Sequence, residues 1–256
     1  MAPIPRARTG RRPGAWTEVA LIAALYAGYS LSRTLVDADP AVAIAHGEML
    51  LEAERAIGLD VERALVDWLV ASTTLSVLAG YLYAALHYTV TPAVLVWLYC
   101  RRPDQYRAAR LVLFAATGVA LVCYFWIPTA PPRLLPDAYP DVLALTAQWG
   151  WWGTEASAPR GLGSLTNQYA ALPSMHVGWA VWCGVVLAVL ARSRTVRVVG
   201  VGYPILVTLI VVATGNHYLL DAVAGAALVL AFAALAALAP RRTAVRSRRG
   251  ALAEPS

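Results

Sequence analysis

The chain has 256 residues, of which 59% are hydrophobic and only 14% charged, and its mean hydropathy is +0.57. Soluble domains carry roughly 25% charged residues, so a water-soluble fold is excluded: a chain of this size cannot hide that much apolar surface from water. The formal charge of +6 comes from 21 basic residues, every one of them arginine, and their placement in loops argues for membrane topology and against a nucleic-acid partner.

Taken in chain order, residues 1–15 form a basic tail holding Arg6, Arg8, Arg11 and Arg12. The apolar run behind it, about 16–36, has spanning length and is expected to stay as the first helix. Five more runs follow at about 74–99, 109–128, 176–192, 198–214 and 217–239. A bilayer core of about 30 Å takes roughly 20 helical residues, so the fourth and fifth runs sit at the lower limit. The expected fold is all-α and polytopic. A six-helix membrane catalytic domain spans 16–239, between basic cytoplasmic tails at 1–15 and 240–256.

Charge orients this plan. Sixteen arginines fall on one side, in the two tails and in the loops at Arg101–Arg110 and Arg192–Arg197. The other side holds Arg33, Arg55, Arg63, Arg133 and Arg160 with most of the acids. Basic loops stay cytoplasmic, which puts both termini inside. The all-arginine, alanine-rich composition suggests a bacterial plasma membrane. Cys100, Cys123 and Cys183 lie in or beside predicted helices without metal-ligand spacing, so no disulfide framework is expected.

Two segments on the acidic side are more than connectors. Residues 37–73 alternate acids with Leu, Ile and Val at helical spacing, broken at Gly58-Leu59-Asp60, and predict one or two short amphipathic helices on the outer membrane surface. Residues 129–175 carry Trp149, Trp151 and Trp152, which suit the headgroup layer, in a loop long enough to be a binding loop.

That loop ends in Ala171-Leu172-Pro173-Ser174-Met175-His176 and enters the fourth helix at once; the fifth helix ends in Thr214-Gly215-Asn216-His217-Tyr218-Leu219-Leu220-Asp221 as the sixth begins. Both helices start on the outer face. Helix N-termini present free N–H groups and partial positive charge to anions, and Ser174 and Asn216 are good N-cap types there. His217 and Asp221, four apart, share a helical face. The carboxylate can hold one imidazole nitrogen and leave the other free to attack, while His176 protonates the leaving oxygen. This is a covalent phosphoryl-transfer set that needs no metal or other cofactor. The bland reading is a structural His217–Asp221 pair and an interfacial His176. His87, five residues before Pro92, has no obvious partner in sequence and reads either as a satisfied intramembrane histidine or as a headgroup contact. Trp179 and Trp182 read as helix packing.

Pro173-Ser174-Met175-His176 with His217-Tyr218-Leu219-Leu220-Asp221 resembles the second and third signature motifs of the type 2 phosphatidic acid phosphatase superfamily. Within it, Pro128 to Arg133, Ala171 to Trp182 and Asn216 to Asp221 are most similar to the inositol phosphorylceramide synthase-like (inositolphosphotransferase) branch, actinobacterial type. The resemblance implies His217 as the phosphorylated nucleophile, Asp221 as its orienting partner and His176 as general acid. The chain departs from the pattern in three places. Only an inverted pair, Pro132-Arg133, stands for the Lys-x6-Arg-Pro first motif. Ile210 and Val211 occupy the usual Ser-Arg positions, and Met175 replaces a glycine. Phosphate charge then falls to Arg133, Arg160, Arg33 or the helix N-termini, which favours phosphotransfer over plain phosphatase action.

The leading expectation is a lipid phosphotransferase that moves a phosphoryl-linked headgroup from a membrane phospholipid to a lipid or polyol alcohol. The alternative is a lipid phosphate phosphatase of phosphatidic acid or polyprenyl phosphate type, with water as acceptor. A metal-dependent membrane enzyme using the same His and Asp residues, and a non-enzymatic transporter, are further alternatives.

Overall fold

A computed structural model describes residues 13–35, 39–136, 139–152 and 167–238, with the side chains of 25–26 and 29–35 outside that description. Most of both expected basic tails falls outside it, as do Arg160 and the side chain of Arg33. The described residues form nine helices: α1 (Ala15–Leu35), α2 (Pro40–Ala56), α3 (Glu62–Val70), α4 (Thr73–Arg101), α5 (Pro103–Trp126), α6 (Val142–Thr146), α7 (Met175–Leu190), α8 (Arg194–Ala213) and α9 (Leu219–Leu238). No strand occurs among them beyond one bridge between Thr129 and Ala170.

Local chemistry sets the helix ends. Asp39, Ser72, Asp141, Ser174 and Ser193 each cap a helix start, the side-chain oxygen accepting a first-turn N–H. Pro40 and Pro103 sit in the first turn of α2 and α5, where the missing N–H costs nothing. The expected break at Gly58-Leu59-Asp60 is the turn between α2 and α3, with Gly58 at φ +73°.

Helices α4, α5, α8 and α9 are long and apolar enough to cross a membrane, and α1 and α7 contribute shorter apolar stretches. The protein is an all-α polytopic membrane protein. Val198, Val199, Val201, Ile205 and Leu209 of α8 are all more than half exposed, a face suited to lipid. By contrast α7, at 16 residues, packs against α4, α5, α8 and α9. Its length of about 24 Å at 1.5 Å per residue is set by protein neighbours, and its first residues are recessed among them. Trp182 is 2% exposed and donates its indole N–H to Ala109 O at 2.8 Å, while Trp179 donates to Thr117 Oγ1 at 3.0 Å. Both are packing residues as expected.

The bundle has two chemically different ends. At one, Arg102 Nη2 donates to Leu190 O and Arg197 Nε to Ala191 O, each at 2.7 Å, so these arginines neutralise the C-terminal carbonyls of α7. Nearby, Glu18 of α1 pairs with Arg110 of α5 and accepts from the Tyr106 hydroxyl at 2.7 Å. The starts of α7 and α9 lie at the opposite end, with α2, α3 and α6 packed around them. Trp152 departs from its expected place: it is fully buried, its indole N–H donating to Leu143 O at 3.0 Å, whereas Trp149 and Trp151 stay exposed. It lies against Gly80 of α4, where a Cβ would meet its ring at 2.7 Å. The absence of a side chain at Gly80 leaves room for the Trp152 ring.

Candidate active site

The starts of α7 and α9 are tied together through the backbone. Ser174 N–H donates to Asp221 O at 2.9 Å, and Gly225 lies so close to Ser174 that a Cβ there would fall 2.0 Å from Ser174 O. Gly225 is therefore the residue that lets the two histidine-bearing segments touch. Ahead of α9, Gly215 takes φ +68°, a conformation other residues rarely adopt. It turns the chain so that the Asn216 and His217 N–H groups both donate to Val211 O at 3.1 Å. The His217 backbone is thus locked to the end of α8.

Three catalytic candidates converge. His217 Nδ1 lies 3.2 Å from Asp221 Oδ2 and 3.2 Å from Ala171 O. Both are acceptors, so Nδ1 carries the proton and Nε2 bears the free lone pair. Nε2 faces His176 Nδ1 at 3.2 Å. Asp221 is fully buried, and its Oδ2 also accepts the Tyr218 N–H at 3.1 Å. His176 Nε2 is buried and has no hydrogen-bond partner among the described residues.

His87, without a partner in sequence, meets another ring in space, although its buried Nδ1 has no hydrogen-bond partner among the described residues. Its ring centroid is 4.4 Å from that of His176, edge to face, and Tyr83 stacks on His176 at 4.7 Å. These rings line a water-sized hollow of about 10 Å³ with Leu86, Ile210 and Val211. Where the sequence pattern leads one to expect Ser-Arg, the cavity wall is therefore apolar.

Arg133 is the described arginine at the site. Its N–H donates to Gly215 O at 2.9 Å, its Nε to Asn216 Oδ1 at 2.9 Å, and its Nη1 to Asp141 Oδ2 at 3.0 Å. Asn216 does not cap the last helix, as its residue type suggested. The helix begins later, at Leu219, and the Asn216 side chain instead holds Arg133 and donates to Thr214. Ser174 caps α7 as expected, accepting the Val177 N–H at 3.5 Å.

A larger correction concerns the start of α9, expected to offer free N–H groups to phosphate. Those donors are taken. Tyr218 N–H goes to Asp221, Leu219 N–H to Glu62 Oε1 at 2.9 Å, and Leu220 N–H to Glu54 Oε1 at 2.6 Å. Glu54 and Glu62 are fully buried, and the sequence reading missed both. A signal existed. Ala43, Gly47, Leu51 and Glu54 make one buried stripe on α2, and Glu62, Val66 and Leu69 another on α3. A carboxylate in register with an apolar stripe is out of place unless something buried receives it.

Among the described residues no group of three or more His, Cys, Asp or Glu side chains is arranged to hold a metal ion. No curated protein and no solved structure matched the chain. The model of the PAP2 superfamily matches residues 48–235, a stretch that includes both histidine motifs and the two buried glutamates, and the chain belongs to that superfamily.

Proposed function

We propose that this PAP2 superfamily protein is a membrane lipid phosphotransferase, moving a phosphoryl-linked headgroup to an alcohol acceptor through a phosphohistidine. Members of the superfamily are phosphatases and phosphotransferases acting on phosphate esters. The observation that carries the finer reading is the 3.2 Å approach of His217 Nε2 and His176 Nδ1 with Asp221 behind His217. The lone pair on His217 Nε2 attacks phosphorus, the bond from phosphorus to the departing lipid oxygen breaks, and His176 delivers its Nδ1 proton to that oxygen. In the second half-reaction the acceptor hydroxyl gives its proton to His176, its oxygen attacks phosphorus, and the P–N bond breaks. A phosphoryl group entering between the two nitrogens must part the rings. Arg133, with N–H groups beyond the two held by Asn216 and Asp141, supplies positive charge beside His217.

Transfer is preferred to hydrolysis because Ile210 and Val211 make the wall beside His176 apolar, a surface that meets a hydrocarbon-bodied alcohol more favourably than water. The phosphatase reading shares every step up to the phosphoenzyme. The test gives purified protein a phospholipid labelled in its headgroup phosphate, with and without candidate lipid and polyol alcohols and with EDTA. Label should enter a new lipid or polyol ester in an alcohol-dependent, EDTA-resistant way. Label released only as free phosphate or free headgroup phosphate overturns the transferase reading, and loss in EDTA revives the metal-dependent one. In the same assay Arg133→Ala should weaken substrate capture and Arg133→Lys restore it in part, since lysine cannot make the forked contact.

The positive-inside rule supports a cytoplasmic setting for the arginine-rich end of the bundle, and the proposed site then faces outward from the plasma membrane. A single cysteine at position 104 should stay unlabelled by an impermeant reagent in sealed cells. Labelling there would invert the orientation.

A further inference from the structure

Glu54 and Glu62 come from helices α2 and α3, outside the long spans, yet both are fully buried against the catalytic helix. Each directs one oxygen at a first-turn N–H of α9. Among the described residues their second oxygens, Glu54 Oε2 and Glu62 Oε2, have no donor, and neither has Asp221 Oδ1. None of the ion pairs among the described residues includes either glutamate. Their neighbours Arg55 and Arg63 turn outward to Asp60 and Asp67.

Three ionised carboxylates in this setting are costly. An unpaired buried charge costs more than a helix N-terminus returns. The two carboxyls interact directly, so a single proton held between them supplies the donor that the pair lacks. We propose that Glu54 and Glu62 are positioning residues: as an acid pair sharing one proton, they clamp the first turn of α9 and so set the His217–Asp221 geometry from outside the bundle. The kinetic consequence rests on the phosphotransfer reading; the clamp itself concerns only α9.

In this proposal Glu54 carries the proton. Burial pushes its carboxyl up to about 8; the Leu220 N–H opposes that, and repulsion from Glu62 adds to it. The titratable groups facing it are Glu62 from α3, Asp221 from α9 and Tyr218 from the turn before α9. Tyr139, from the loop before α6, faces Glu62. The sign follows. A carboxyl raised in the folded state stabilises the fold fully below its unfolded value, and the contribution is lost as pH rises through about 8. Ionised Glu54 then repels Glu62 and Asp221 and loosens the clamp.

The test uses the full chain in detergent or nanodiscs, with two readouts across about pH 6–9: backbone hydrogen exchange of the segment around residues 214–225, and kcat and KM. Glu54→Gln keeps an oxygen for Leu220 N–H and offers an N–H to Glu62. It should show wild-type protection and kcat at neutral pH and lose the wild type's decline above about pH 8. Glu54→Ala should exchange faster across this segment and lose about tenfold to a hundredfold in kcat, as for a small misplacement of catalytic groups, with KM little changed. Wild-type exchange and kcat in Glu54→Ala, or an alkaline decline that persists in Glu54→Gln, overturns the clamp. If Glu54→Ala does not fold, the pH profile of Glu54→Gln decides alone. Variant-dependent exchange in a protein that transfers no phosphoryl group sinks the chemistry and keeps the clamp. Activity with variant-independent exchange does the reverse.

Discussion

His217→Ala is expected to abolish turnover and to leave no acid-labile, base-stable label on the protein after brief reaction with labelled substrate and rapid quenching. The expectation follows from the lone pair. Asp221 and Ala171 O both claim Nδ1–H, so Nε2 is the nitrogen left to attack, and it faces the one other imidazole able to manage the leaving oxygen's proton. No other described nucleophile stands in that position. Asp221→Asn keeps the side chain's shape but removes the charge that holds Nδ1–H and supports the ring as it becomes cationic. The loss should reach about 10³–10⁴-fold, the scale seen where an oriented histidine loses its carboxylate. The fold should survive, because asparagine can still accept the Tyr218 N–H. Persistence of the acid-labile label in His217→Ala, or turnover near the wild-type rate, would move the nucleophile elsewhere.

His176→Ala should divide substrates by their leaving groups. A departing lipid alkoxide is a poor leaving group and needs a proton as the P–O bond breaks; general acid help of this kind is worth about 10²–10⁴-fold. An activated aryl phosphate leaves without it. The variant should therefore lose orders of magnitude on a phospholipid and far less on the aryl ester, with the aryl reaction now limited by the second half-reaction, where His176 acts as base. Single-turnover measurement separates the halves: label should still load from the aryl ester and then linger on the protein. An equal loss on both substrates would make His176 a binding or structural residue. Because its ring packs between Tyr83 and His87, His176→Gln serves as a folding control.

Much of this protein was legible in one dimension. Bilayer thickness and backbone hydrogen bonding leave apolar runs of spanning length little choice but helix, so the all-α polytopic class followed from composition, and the short helix pair α2–α3 from the break at Gly58. The His217–Asp221 pairing was legible for a similar reason: side chains four apart share a helical face whatever the rest of the fold does. The approach of His176 to His217 could only be inferred, since their segments are separated by a whole helical hairpin. Gly225 against Ser174 and the turn at Gly215 are what bring them to 3.2 Å. His87 gained its ring contact the same way, across the α4–α7 interface.

What sequence alone determined, then, was each element's type and the chemistry each could carry. Hydrophobic period, caps and turn residues act over a few neighbours, and they are written locally. Tertiary structure alone decided where buried polar groups find partners. Asn216 turned from a helix cap into a hold on Arg133 because Arg133 arrives from a loop 83 positions away. The start of α9, which by itself is an open anion site, was closed by Glu54 and Glu62 from α2 and α3. A helix N-terminus must be satisfied by something, and no local rule says whether that is a substrate or a side chain more than 150 residues earlier in the chain. That choice belongs to the packing of the whole bundle.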